Sequence, residues 1–311
     1  MRKILARLET FELLVFGYSA VVAALILAAL PRVPHAGAIL AAHAGLTASV
    51  AALAWASLRF PGRFWRVARD CFPVLLVPIA FRELHYVIPA VHPGDLDATL
   101  MAWDRAIFGE APTILFERLL HPLAVEVLQL CYASYYFLPM ILGVALYRQG
   151  RTAAYREALA LVVLAFLTSF LGYFLVPAQS PYVDEIALGH AQHWGEIPAA
   201  QGYGLAPLIR DAILGLEWEM RDAFPSGHAE VTIVTLVCAW RLHRPVFWAL
   251  VGPGTGLVLA TVYLRLHYAV DVLAGAALAA AVVWAGPSLH RRWEQQREAW
   301  SGERGASGPA A

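Results

Sequence analysis

Apolar residues along this chain run in long blocks rather than alternating or recurring once per helical turn. Eight blocks stand out, at residues 11–30, 38–58, 72–90, 122–147, 155–176, 226–242, 245–263 and 268–287. A helix needs about 20 mostly apolar residues to cross the hydrocarbon of a bilayer. The pattern therefore predicts an all-α, polytopic membrane protein with about eight transmembrane helices. The block at 72–90 is the weakest, because it carries Pro73, Pro78, Arg82, Glu83 and His85. Very short turns join the last three blocks, which predicts antiparallel neighbours. Met1-Arg2-Lys3 ahead of an apolar run resembles a secretory signal. The run from Phe11 to Leu30 exceeds the roughly 7–15 residues of such a segment, however, and reads as an uncleaved first span.

The longer stretches between blocks have their own patterning. Residues 94–120 place Trp103, Ile107, Phe108, Leu115, Phe116 and Leu119 at roughly helical spacing, and 182–222 hold Trp194, Tyr203, Leu205, Leu208, Ile209 and Trp218. Both suggest amphipathic helices lying at the interface as a cap over one mouth of the bundle. One domain is expected, made of an N-terminal transmembrane hairpin (1–71), a catalytic transmembrane portion (72–289) and a flexible cytoplasmic tail (290–311), the tail because it mixes charges with Gly, Ser and Pro.

Basic residues orient the spans. With the N-terminus in the cytoplasm, inside segments carry Arg2, Lys3 and Arg7; Arg59, Arg63, Arg66 and Arg69; Arg148, Arg151 and Arg156; Arg241 and Arg244; and Arg291, Arg292, Arg297 and Arg304. That is most of the 23 Lys and Arg residues, as the positive-inside rule requires. The long segments 91–121 and 177–225 then face outside, with both termini cytoplasmic. Composition agrees with a membrane protein: 59% of residues are hydrophobic and 15% charged, against about 25% charged in soluble domains. A formal net charge of zero gives no argument for nucleic-acid binding. Cys71, Cys131 and Cys238 lie far apart in apolar stretches, which is neither a disulfide framework nor a metal pattern.

Two short stretches carry chemistry. Phe224-Pro225-Ser226-Gly227-His228 precedes the sixth block. Ser226 is a natural N-cap, Gly227 permits close approach of a ligand, and a helix N-terminus favours phosphate. Alone, this reads first as a capped helix with an interfacial histidine. Tyr263-Leu264-Arg265-Leu266-His267-Tyr268-Ala269-Val270-Asp271 opens the eighth block. His267 and Asp271 at i and i+4 share a helix face, so the carboxylate can accept from one imidazole nitrogen and leave the other free to attack. An aspartate at the start of a span points to function. The predicted topology brings both histidines to the outer face.

These stretches resemble the second and third motifs of the type-2 phosphatidic acid phosphatase superfamily, which also contains haloperoxidases and sphingolipid phosphotransferases. The match is carried by Pro225-Ser226-Gly227-His228 and by His267 with Asp271, followed by Val272-Leu273-Ala274-Gly275. The resemblance implies a six-helix core, here residues 72–287, and a covalent phosphohistidine. His267 would be the nucleophile, His228 the proton donor to the leaving oxygen and Asp271 the orienter, with no cofactor and no metal. The sequence departs from the family at three basic positions, where Tyr173, Ser180 and Thr261 stand instead. Together with Arg82-Glu83-Leu84-His85-Tyr86, Trp103-Asp104-Arg105 and Phe108-Gly109, this is similar to the branch of inositol phosphorylceramide synthases.

Candidates for holding the phosphate are Arg265, Arg221 and Arg82, with Ser226 and Gly227; Arg82 could equally pair with Glu83 or Asp104. Gln179, Ser180, Tyr173 and Tyr182 are candidate substrate donors, while Tyr135 and Tyr136 read as packing aromatics. The expected partners are the membrane, a lipid phosphate substrate and an acceptor. An alcohol acceptor makes a transferase and water makes a phosphatase, and the two share every catalytic residue.

Overall fold

The computed structural model describes residues 6–181, 197–216 and 221–302. In chain order the helices are α1 (Thr10–Ala28), α2 (Ala36–Arg59), α3 (Arg63–Cys71), α4 (Pro73–Val91), α5 (Asp97–Phe108), α6 (Pro112–Glu117), α7 (Pro122–Ala133), α8 (Phe137–Arg148), α9 (Thr152–Leu175), α10 (Leu205–Leu216), α11 (Gly227–Leu242), α12 (Arg244–Tyr263) and α13 (Ala269–Ser301). All eight apolar blocks are helical. Six segments are long and apolar enough to cross a membrane: α1, α2, the joined pair α3–α4, α9, α12 and α13. The block at 122–147 forms two helices, α7 and α8, bent by 50° at the break between them. At 16 residues α11 is the shortest of the eight, about 24 Å at 1.5 Å per residue. The protein is an all-helical, polytopic membrane protein.

α11 stands at the centre, packed against α9, α12 and α13. One apolar cluster runs from Phe11, Val15 and Val22 of α1 through Leu84 and Val87 of α4 and Leu161 and Phe170 of α9 to Val231 and Val234 of α11. The N-terminal hairpin therefore shares its core with the central helices. Its polar side chains are buried there too. Glu83 of α4 accepts from the Tyr18 hydroxyl at 2.9 Å and lies 2.6 Å from Nε2 of His43.

The amphipathic expectations map onto α5, α6 and α10. Trp103, Ile107, Phe108, Leu115 and Leu119 are exposed, as are Tyr203, Leu205 and Leu208; Leu100, Met101 and Ala206 face inward. Tyr182, Trp194 and Trp218 lie outside the described residues, as do 303–311 of the tail. Residues 290–301 are not a loose tail, because α13 continues to Ser301. Docking explains the added length. Trp293 Nε1 donates to the Leu8 carbonyl at 2.9 Å, and the Arg297 guanidinium meets Glu9 at 2.7 Å.

Candidate active site

Two helix starts meet at the site. Ser226 caps α11, its hydroxyl accepting from the Ala229 amide at 3.3 Å. The Ser226 amide donates to the Asp271 carbonyl at 3.0 Å, which ties α11 to α13. This approach depends on glycine at two positions. Gly275 faces the Ser226 carbonyl and Gly172 faces the Pro225 ring, so a β-carbon at either would overlap its neighbour. The α13 start is fixed from a third element, since Asp104 of α5 accepts from the Ala269 and Val270 amides at 2.9 and 2.8 Å.

His267 sits in the turn between α12 and α13. Its amide and that of Leu266 both donate to the Thr261 carbonyl, at 2.9 and 2.8 Å, and Arg265 takes a left-handed φ of 60° to make the turn. His267 Nδ1 lies 2.8 Å from the Ala223 carbonyl. A carbonyl only accepts, so Nδ1 carries the hydrogen and Nε2 presents its lone pair. Nε2 faces His228 Nδ1 at 3.2 Å, which makes the His228 nitrogen the donor of that contact. The ring is 4% exposed, and burial pushes its pKa down to about 4 against the opposing effects of Asp222 and the Ala223 carbonyl.

Asp271 behaves differently from expectation. Its Oδ2 stands 3.5 Å from His267 Nδ1 and accepts instead from the Tyr268 amide at 2.8 Å. At the third position of α13 the carboxylate is drawn to an amide with no helical partner. The hydrogen bond from the imidazole therefore goes to the Ala223 carbonyl, and Asp271 caps the start of α13 beside it.

His228 lies between two tyrosines. Its ring stacks on Tyr132 at 4.7 Å and tilts against Tyr135 at 4.3 Å. The Tyr135 hydroxyl donates to the Gly227 carbonyl at 3.2 Å. Tyr135 is thus a wall of the site and not only a packing residue, because the break between α7 and α8 turns it inward. Tyr136, by contrast, is 51% exposed.

Two of the three candidate arginines are ion-paired to carboxylates. Arg265 is fully buried and ion-paired with Glu117 of α6. Arg221 pairs with Asp95 at 2.5 Å. Arg82 is exposed on α4, whose inward carboxylate Glu83 is taken by Tyr18 and His43. Ser226 is fully buried as a cap, and Gly227 is clamped between Tyr135 and Tyr173, a β-carbon there falling 2.5 Å from the Tyr173 hydroxyl. The Gln179 backbone amide donates to Asp97 at 2.8 Å and its side-chain nitrogen to Asp95 at 3.1 Å. Ser180 is half-buried beside it. Among the described residues no group of three or more His, Cys, Asp or Glu side chains is placed to share a metal ion.

Sequence reasoning missed Ala223, Glu117 and Tyr132, and gave Asp104 and Tyr135 other roles. A carbonyl has no sequence signal. Asp104 had one, a carboxylate in an otherwise amphipathic stretch.

The fold and site define a class, a polytopic helical membrane protein with histidines from two helix starts facing each other. Residues 98–285 match the PAP2 superfamily, and the chain belongs to it. A PA-phosphatase related-family protein of Dictyostelium discoideum is 25% identical over 201 residues. That alignment covers 57% of this chain and 36% of the relative, so the chain spans about a third of that protein's length. No solved structure matches.

Proposed function

We propose that the protein moves the phosphoryl head group of a membrane phospholipid to an alcohol through a covalent phosphohistidine on His267. The observation that carries this reading is the tautomer: the Ala223 carbonyl holds the Nδ1 hydrogen, leaving the Nε2 lone pair directed at His228. Phosphorus enters between the two rings. Nε2 attacks, the phosphorus–oxygen bond to the lipid breaks, and His228, entering this step as the imidazolium, gives a proton to the departing oxygen and becomes neutral. The acceptor hydroxyl then attacks phosphorus, His228 takes that proton, and the phosphorus–nitrogen bond breaks to release His267. Asp271, 3.5 Å from His267 Nδ1, faces the intermediate imidazolium, and the positive end of α11 favours the developing negative charge.

Charge supports a phosphodiester donor. A phosphomonoester carries about 1.5 to 2 negative charges at neutral pH, and a diester carries one. Arg265 and Arg221 are already ion-paired, and tyrosines line His228. Such a site suits the smaller charge, as a head-group transferase of the inositol phosphorylceramide synthase type needs. Hydrolysis of a lipid phosphate such as phosphatidic acid is the second reading, favoured by the name of the Dictyostelium relative. The arginine distribution supports a site on the extracytoplasmic side with both termini in the cytoplasm.

The test uses purified protein and phospholipid radiolabelled at phosphorus, with and without a lipid alcohol. A new labelled phosphodiester supports transfer, and released head-group phosphate or inorganic phosphate supports hydrolysis. Acid-labile, base-stable label should appear on wild type and vanish in His267→Ala. Near-normal turnover by His267→Ala would falsify the mechanism.

A further inference from the structure

Glu126 belongs to neither histidine motif, yet it is one of the few carboxylates buried near the site. It lies on α7, six residues before Tyr132, and is 8% exposed. A single oxygen, Oε1, accepts two backbone amides at the start of α10: Tyr203 at 2.5 Å and Leu205 at 3.0 Å. Gly202, just ahead, has φ 62°, and a β-carbon there would stand 2.9 Å from the same oxygen. The left-handed φ favours glycine at this crossing, and a β-carbon would push the Glu126 carboxylate from its place. A carboxylate that receives two amides at a helix start makes charge-assisted hydrogen bonds and meets the positive end of the helix.

The underside of this crossing reaches the site. Ala200 and Ala206 pack in one apolar cluster with Val125, Leu128 and Tyr132, bordered by Leu266. Tyr132 is the ring stacked on His228, and Leu266 is the neighbour of His267. A shift of residues 200–206 would therefore loosen the surroundings of both histidines.

We propose that Glu126 is a positioning residue that latches residues 202–205 onto α7, holds Tyr132 against His228, and so keeps water from the phosphoryl group while an alcohol acceptor is bound. The latch stands on geometry alone; its effect on the acceptor rests on the function proposed above.

Two measurements separate these parts. The first is hydrogen exchange of the full chain in nanodiscs, read on the peptide covering 200–206. Glu126→Ala and Gly202→Ala should speed exchange there about tenfold, and Glu126→Gln less, since its amide oxygen still accepts. Asp211→Asn, on the exposed side of α10, should change nothing. Unchanged exchange in Glu126→Ala, with the transmembrane peptides still protected, overturns the latch. If Glu126→Ala does not fold, Gly202→Ala and Glu126→Gln decide the same question.

The second is the ratio of released head-group phosphate to new phosphodiester. It should rise about tenfold in Glu126→Ala while label on His267 persists. Faster exchange with an unchanged ratio overturns the role in excluding water. Absence of label on wild-type His267 overturns the phosphohistidine reading and leaves the exchange result to decide the latch.

Discussion

At His267, the Nδ1 hydrogen goes to the Ala223 carbonyl at 2.8 Å while Asp271 stands 3.5 Å away. The two arrangements predict different mutants. Where an aspartate itself sets the tautomer, replacement by asparagine costs about 10⁴ in kcat. Here the carbonyl survives the change, so Asp271→Asn should lower kcat only about 10- to 100-fold and still permit labelling of His267. Single-turnover labelling checks this, and a fall near 10⁴ would return the orienting role to the carboxylate. Burial makes a second prediction at the same residue. The folded-state pKa of about 4 lies below the ordinary value of 6.5, so between these two values the unfolded chain binds a proton that the folded chain does not. Stability should therefore be complete above pH 6.5 and fall as pH drops towards 4, by about 3 kcal/mol in all. Thermal melts in detergent should show this acid-side loss in wild type and a weaker one in His267→Ala. The histidines and Asp271 were legible because their spacing is chemical. The surrounding partners were not, because a backbone carbonyl leaves no mark in a sequence and a tyrosine within an apolar block reads as packing.

The elements were legible wherever length alone decides. Each long apolar block but 122–147, which breaks into α7 and α8, is one helix, and the interfacial helices follow from their amphipathic stripes. Breaks were harder to read. The bend after Ala133 places Tyr132 and Tyr135 against His228, yet its cause is local: Ser134 turns its hydroxyl back to the Cys131 carbonyl at 2.6 Å. The start of α13 shows a dependence on distant sequence. Its first amides are satisfied by Asp104, 165 residues away in the chain, and the helix carries Asp271 and the turn holding His267. Loss of a capping acceptor costs about 0.5–2 kcal/mol, and burial adds to that by leaving amides unpaired. Asp104→Ala should therefore lower the melting temperature and, unlike a remote core mutation of equal cost, lower kcat as well by moving His267. Asp104→Asn keeps one acceptor oxygen and should recover part of both. A stability loss with unchanged kcat would mean that α13 is positioned without Asp104.

Across the whole molecule, the end opposite the histidine pair is held by a network that hydropathy could not reveal. Arg69 is 6% exposed and binds Glu12 through two hydrogen bonds, at 2.7 and 2.6 Å. Glu9 receives Arg156 and Arg297, each at 2.7 Å. These contacts join α1, α3, α9 and the extension of α13, so the hairpin and the end of α13 are parts of one body. In the sequence the same residues looked like cytoplasmic loop charges and a loose tail, because their partners lie between 57 and 288 positions away. A buried pair costs desolvation that its attraction roughly offsets, whereas removing one partner leaves a buried charge at about 3–5 kcal/mol. Glu12→Ala should thus be strongly destabilising, and Glu12→Leu combined with Arg69→Met much less so, both read by melting in detergent with phosphoryl transfer measured below the transition. Because the histidine pair lies by the start of α13 and the network by its far end, the double variant should keep near-normal kcat. Equal losses in the single and double variants would mean that packing, and not the unpaired charge, is what the network protects.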